Sequence, residues 1–212
     1  MANDPPDVSP LERRPIAARS SGWARTLAAW LAASSVTPNQ ISVLSVVFAA
    51  LGGGALPHGA WWSWIVAALC VQLRLICNLL DGMVAIEGGK SSPVGALYNE
   101  FPDRVSDSLL LVPIGYAAGV PWLGWLAALL AALTAYVRVF GGALRQAQDF
   151  GGVMAKQRRM AVLTVGLVVQ AVETIAFGTR YALLATAIVI AAGSLVTCIT
   201  RTRGIAARLG AA

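Results

Sequence analysis

Six long apolar segments divide the chain and restrict it to a narrow set of folds. Each runs for about 20 residues, the length that a helix needs to cross the hydrocarbon core of a lipid bilayer. They begin near Thr37, Trp61, Gly95, Trp122, Met160 and Tyr181. Hydrophobic residues make up 57% of the 212 residues and charged residues only 12%, which excludes an ordinary soluble domain. The sequence therefore predicts an all-α, polytopic membrane protein with six transmembrane helices.

The region before the first span divides into two parts. Residues 1–15 are polar and rich in proline, which is typical of a disordered tail, and residues 16–212 are expected to form one membrane domain. Trp23, Leu27, Trp30 and Leu31 then recur at helical spacing. This pattern predicts an N-terminal amphipathic helix that lies in the headgroup layer of the bilayer.

The sixteen Lys and Arg residues indicate the orientation of the chain. Twelve lie on the side of the two termini, Arg180 alone lies on the opposite side, and Arg74, Arg104 and Arg138 fall within the apolar segments. Because Lys and Arg accumulate on the cytoplasmic side of a membrane, we expect both termini in the cytoplasm of a multi-pass protein of the cell membrane. The same rule accounts for the net charge of +6 without a nucleic-acid partner.

Polar and acidic residues interrupt the second and third segments. Asn78 and Asp81 are three residues apart in the second segment, and Asn99, Asp103 and Asp107 are four apart in the third. Each set therefore lies on one face of its helix. Charged groups at membrane depth are costly, and they are usually functional, paired or bound to a metal. Carboxylate and amide oxygens suit a hard divalent cation such as Mg2+ or Mn2+.

A buried ion-pair network is the alternative role for the three aspartates. Arg74 shares the helix face of Asp81, and Arg104 follows Asp103 directly. Three carboxylates and two arginines leave a surplus of acid, which favours the metal site.

The same stretch resembles the CDP-alcohol phosphotransferases, whose second and third transmembrane helices carry D-x2-D-G-x2-A-R-x8-G-x3-D-x3-D. Every spacing of this pattern is kept. The matching residues are Asp81, Gly82, Ala85, Gly95 and Asp103. Asn78 and Asn99 stand at the first and third Asp positions, and Ile86 stands at the Arg position.

The resemblance implies transfer of a phosphate-linked alcohol from a CDP-alcohol, most often CDP-diacylglycerol, to an acceptor hydroxyl, with release of CMP in phospholipid biosynthesis. It implies Mg2+ or Mn2+ at Asn78, Asp81, Asn99 and Asp103, and Asp107 is the nearest carboxylate that could replace the charge lost with the two amides. Asp103 would also accept the proton of the acceptor. Such enzymes are usually homodimers embedded in the bilayer.

Substrate contacts are also implied by the resemblance. The small residues expected to line the nucleotide site are Gly82, Ala85 and Gly95, for which close helix packing is the alternative. The missing cation at Ile86 could be replaced by Lys90 or Arg104.

A second element concerns the acceptor. Residues 155–159 look like the G-K-x-K-T element of family members that use phosphorylated acceptors, and Arg138 stands where those relatives carry an arginine. Arg138, Lys156 and Arg158 are therefore expected to bind an anionic acceptor. For Arg159 an ordinary positively charged cytoplasmic loop explains the sequence equally well.

Two other functions remain open at this point. A non-catalytic relative could keep the fold to bind lipid or nucleotide, or to act as a scaffold for a partner enzyme. A small-solute transporter is less favoured, because the sequence has no internal repeat and no pair of broken helices.

Overall fold

A computed structural model describes residues 17–211, which form two short 3-10 turns, Ala17–Ser20 and Leu56–His58, and seven longer helices. The helices are α1 (Gly22–Ala33), α2 (Pro38–Ala55), α3 (Trp61–Ile86), α4 (Gly95–Ala117), α5 (Pro121–Ala143), α6 (Lys156–Ala176) and α7 (Tyr181–Gly210). These residues contain no β-strand, so the predicted all-α fold is confirmed. The tail expected over residues 1–15 lies outside the described residues.

Five of the helices, α2, α3, α5, α6 and α7, are long and apolar enough to cross a membrane. Helix α4 is also long enough, with 23 residues, but its charged side chains keep it below the same measure of apolarity. It packs against α2 and α5 and buries two aspartates in its middle. The sixth predicted span is therefore present as a helix of the bundle that carries charged side chains among its apolar ones.

Two helices are longer than the apolar pattern predicted. Helix α6 begins at Lys156 rather than at Met160, and α7 continues to Gly210 rather than ending near Thr200. The sequence in both extensions is polar, so helix bounds predicted from apolar residues are too short. Lys, Arg and Gln are nevertheless good helix formers, and Lys156 and Arg201 are themselves buried.

Helix α1 packs along α3 through two small residues. Ala24 and Ala28 are buried at 0% and 4% exposure, whereas Trp23 and Trp30 are exposed. The loop between α3 and α4 holds the other end of α1, because Nζ of Lys90 donates to the backbone oxygens of Ser34 at 2.5 Å and Val36 at 3.1 Å. The predicted helix is thus anchored beside the polar end of α3.

Buried ion pairs join α3, α4 and α6. The carboxylate of Asp107 on α4 accepts from Arg74 on α3 at 2.6 Å and from Arg159 on α6 at 2.5 Å. All three side chains are at most 2% exposed. Charges at such depth are tolerated only when they are paired, so this network fixes how the three helices meet.

We expect the Arg159→Met variant to lose about 3–5 kcal/mol of unfolding free energy, because it leaves a buried carboxylate with one partner fewer. Arg158→Met is the matched control, since Arg158 is the adjacent residue and its side chain is exposed. Thermal unfolding of both variants in detergent measures the difference. Equal stability of the two variants would contradict the structural role of the Asp107 network.

Candidate functional site

A cavity of about 770 Å³ opens at the end of the bundle where α3 ends and where α2, α4 and α6 begin. Nine of the eleven residues predicted for the site line it. They are Asn78, Asp81, Gly82, Ala85, Gly95, Asn99, Asp103, Arg138 and Lys156. The helix pairing therefore brings the acidic pattern of α3 and α4 and the basic residues of α5 and α6 to one space.

Asp81 is 5% exposed and is held by neutral donors. The hydroxyl of Ser42 on α2 donates to Oδ2 at 2.6 Å, and the backbone N–H of Gly82 donates to Oδ1 at 2.6 Å. Asp81 also lies close enough to Asp103 and Lys156 for electrostatic interaction with both. In the part of the chain described here it forms no ion pair at contact distance, so its negative charge faces the cavity.

Asp103 has a different environment, in which three cations surround the carboxylate. Nζ of Lys156 donates to Oδ1, while Arg74 and Arg104 each approach an oxygen at 3.6 Å. The side chain is 5% exposed. A positive environment of this kind stabilises the ionised carboxylate and fixes its orientation.

Two of the predicted residues do not join the site. Asp107 lies one turn deeper, where Arg74 and Arg159 occupy both of its oxygens, so it does not face the cavity as a replacement metal ligand. Arg158 is exposed, and Nη1 donates to the backbone oxygen of Gly152 at 3.2 Å. Its neighbour Arg159 is the buried arginine, because consecutive residues on a helix point about 100° apart.

The two asparagines supply amide groups rather than charge. Nδ2 of Asn78 is buried without a hydrogen-bond partner among the described residues, and a half-turn of the amide would present Oδ1 at the same place. Asn99 is exposed at the cavity wall. Among residues 17–211, no three His, Cys, Asp or Glu side chains come together closely enough to hold a metal ion. A metal at this site therefore needs the amide oxygens.

The donor set fits one hard divalent cation. Asp81 and Asp103 are carboxylates, Asn78 and Asn99 carry carbonyl oxygens, and all four line the same cavity. Oxygen ligands of this kind are those that Mg2+ and Mn2+ prefer. A second cation would require further carboxylates, and the nearest one, Glu100, is already paired with Arg138 at 2.5 Å.

Arg138 forms the basic side of the cavity. Its guanidinium donates to Glu100 and to Oε1 of Gln148, and it lies 5.0 Å from the ring centre of Phe150. The side chain is only 4% exposed although it lines the cavity. A buried cation that faces open space is suited to bind an anionic ligand.

Sequence reasoning missed several residues of the cavity. Ser42 lies in an apolar span, and its polarity was the only signal. Gln148 and Phe150 lie in the loop between α5 and α6, which carries no pattern. Arg19 lines the cavity from the turn before α1, about sixty positions ahead of the acidic pattern. Lys90, expected near the phosphate, does line the cavity, but its ammonium donates to backbone oxygens at the end of α1.

No protein-family model matches the chain, but individual relatives do. The chain is 34% identical over 144 residues to the archaetidylinositol phosphate synthase of Aeropyrum pernix, covering 67% of this chain and 72% of that protein. It is 34% identical over 137 residues to a bifunctional IPC transferase and DIPP synthase of Rubrobacter xylanophilus, covering 62% of this chain but only 31% of that longer protein. A third relative is the inner membrane protein YnbA of Escherichia coli, 32% identical over 85 residues, or 40% of this chain and 42% of that protein.

The fold is also that of a solved enzyme. The phosphatidylinositol phosphate synthase of Mycobacterium tuberculosis with CDP-DAG bound superposes with a TM-score of 0.72 at 20% identity, covering 86% of this chain and 92% of that one. Its complex with manganese and citrate has the same TM-score and covers 86% and 88%. With the archaeal relative aligned over 72% of its length and the motif spacing intact, the chain belongs to the CDP-alcohol phosphotransferase family.

Proposed function

We propose that this protein transfers the phosphatidyl group of a CDP-alcohol, in particular CDP-diacylglycerol, to the hydroxyl of a phosphorylated acceptor, with release of CMP in phospholipid biosynthesis. The observation that carries the proposal is the composition of one cavity. It is lined by the carboxylates of Asp81 and Asp103 and by the cations of Arg138 and Lys156. The acidic side suits a cation-bound diphosphate, and the basic side suits a second anion.

The donor would lie along the α3 side of the cavity. Gly82 and Ala85 of α3 line the cavity near Asp81, with Gly95 of α4 across from them, and the solved neighbour of the same fold binds CDP-DAG. A divalent cation, Mg2+ or Mn2+, when bound by the two carboxylates and the amide oxygens, would offset the charge of the diphosphate. A manganese complex of that neighbour supports this choice of metal.

The role of proton acceptor is assigned to Asp103, because it stands at the last Asp position of the family motif and lines the cavity. In the proposed reaction the acceptor oxygen bonds to the lipid-linked phosphorus, and the bond from that phosphorus to the bridging oxygen breaks, leaving the electron pair on CMP. The acceptor proton passes to Asp103. Lys156, which donates to the same carboxylate, orients it and stands beside the incoming hydroxyl. Positioning and charge neutralisation of this kind supply most of the rate in phosphoryl transfer.

An anionic acceptor follows from the basic side of the site. Arg138 and Lys156 both line the cavity and are nearly buried, so an acceptor phosphate would share their N–H donors with Glu100 and Asp103. The archaeal relative and the solved neighbour are both named as synthases of inositol-lipid phosphates, which supports a phosphorylated polyol.

A non-catalytic role is the second candidate, and one observation favours it. The described residues contain no group of three or more His, Cys, Asp or Glu side chains that could hold a metal. A relative of this kind would bind donor lipid without turnover. Direct measurement of CMP separates the two candidates.

We expect the purified protein to release CMP from CDP-diacylglycerol when inositol phosphate and Mn2+ or Mg2+ are present, and to stop when EDTA is added. Asp81→Asn should lower the rate by about 10²–10³-fold, because the site loses a negative charge that would hold the divalent cation at the diphosphate. Arg138→Ala should raise the acceptor KM by about ten- to a hundredfold and leave the affinity for CDP unchanged.

Arg203→Ala is the control for these variants, because it removes an exposed positive charge outside the cavity. Equal use of inositol and inositol phosphate would overturn the anionic acceptor. If no CDP-alcohol yields CMP with either metal, and Asp103→Asn has no effect on lipid composition in cells, the non-catalytic role is correct.

The proposed orientation places the cavity in the cytoplasm, where nucleotides are. His58 lies at the opposite end of the bundle from the cavity, in the turn after α2, whereas Ala147 lies in the loop after α5, and both are exposed. A membrane-impermeant maleimide added to intact cells should label His58→Cys and should label Ala147→Cys only after permeabilisation. Labelling of Ala147→Cys in intact cells would reverse the orientation.

A further inference from the structure

The family pattern leaves one positive charge unaccounted for. Ile86 stands at the Arg position of the motif, lines the cavity and is 46% exposed, so α3 offers no cation there. The two replacements considered from the sequence are less suited. Lys90 lines the cavity, but its ammonium donates to the backbone oxygens of Leu31, Ser34 and Val36, which uses its three N–H donors. Arg104 is not among the residues that line the cavity, and it pairs with Glu100 at 3.5 Å and Asp103 at 3.6 Å.

Arg19 occupies this side of the cavity. It belongs to the turn Ala17–Ser20 before α1 and lines the same cavity as Asp81 and Gly82. A Cβ atom added to Gly82 would lie 3.6 Å from Nη2 of Arg19. The guanidinium therefore lies over Gly82, the residue that follows Asp81. A ligand bound beside Asp81 and Gly82 would be within its reach.

The position of Arg19 is fixed by contacts outside the motif. Helix α1, which follows it directly, is seated on α3 by the buried Ala24 and Ala28. Close packing continues at the other end of α1, where a Cβ atom at Gly88 would come within 2.8 Å of the Cβ atom of Ala32. The turn that contains Arg19 thus leads directly into a docked helix, and the guanidinium of Arg19 lies at the cavity wall beside Gly82.

We propose that Arg19 binds the diphosphate of the CDP-alcohol donor and supplies the positive charge that Ile86 lacks. This inference rests on the proposed function and names a residue that the motif does not contain. A guanidinium presents a planar set of N–H donors that matches phosphate oxygens in pairs. Together with one divalent cation it would offset a diphosphate in a site where Asn78 and Asn99 have replaced two carboxylates.

The same position has a simpler explanation that makes a different prediction. An arginine before an interfacial helix can extend to lipid headgroups, where it contributes to membrane attachment. In that case Arg19 would affect the association of the helix with lipid, and the affinity for a soluble nucleotide in detergent would not depend on it.

The test is calorimetric titration of CDP into the full chain in detergent micelles with Mn2+. We expect Arg19→Ala to weaken CDP binding about ten- to a hundredfold and Arg19→Lys to restore part of the affinity. Arg25→Ala is the matched control, because Arg25 lies on α1, is exposed and lies outside the cavity; it should bind CDP within about twofold of the unmodified chain. In turnover, Arg19→Ala should raise the KM for CDP-diacylglycerol and leave the acceptor KM unchanged.

The outcomes separate this inference from the proposed function. If the unmodified chain binds CDP and Arg19→Ala binds it equally well, Arg19 is not a donor ligand, while the proposed function stands. If the unmodified chain does not bind CDP with Mn2+, both fail together. Should Arg19→Ala unfold at a lower temperature than the control, Arg19→Gln, which keeps most of the side-chain length, decides the question by the same titration.

Discussion

The structure depends on the cost of burying charge. Asp107 could not lie 1% exposed inside a membrane bundle unless cations from neighbouring helices satisfied both of its oxygens. Arg74 and Arg159 do so from α3 and α6. Because breaking either contact leaves an unpaired charge, the three helices can meet in only one way. Their relative placement then determines where the remaining polar residues of α3, α4 and α6 point.

The environment of the three aspartates changes from the interior toward the cavity. Asp107 is fully paired with arginines, Asp103 is paired with Lys156 and has two arginines nearby, and Asp81 accepts only from neutral donors at contact distance among the described residues. Negative charge is therefore least compensated at the outer end of this series. The deepest aspartate holds the bundle together, and the two outer aspartates line the cavity. Lys156 lies between them, where its ammonium donates to Asp103.

Much of this arrangement was predictable, and the failures have physical causes. Periodicity and apolar length predict the helices because burial in lipid requires both, and the spacing within 78–103 predicts which residues share a face. Asp107 shares that face with Asp103, but the sequence does not show how deeply each residue is buried in the bundle. A metal-binding aspartate and an aspartate in a structural ion pair therefore give the same pattern. Arg158 was expected at the acceptor site and Arg159 was not, but Arg159 is the buried residue of the two, because the start of α6 lies in a polar stretch that apolar periodicity does not cover. Arg19 could not be predicted at all, since only the docking of α1 brings it to the cavity.

We propose that two carboxylates and two amides hold one divalent cation at the diphosphate. Cationic side chains of the protein supply the rest of the positive charge that offsets the diphosphate. Counting bound Mn2+ by electron paramagnetic resonance, with CDP at saturation, tests this most directly. The free Mn2+ signal reports how many equivalents each chain removes from solution. We predict one Mn2+ per chain. Two tightly bound Mn2+ ions, or none, would contradict the account.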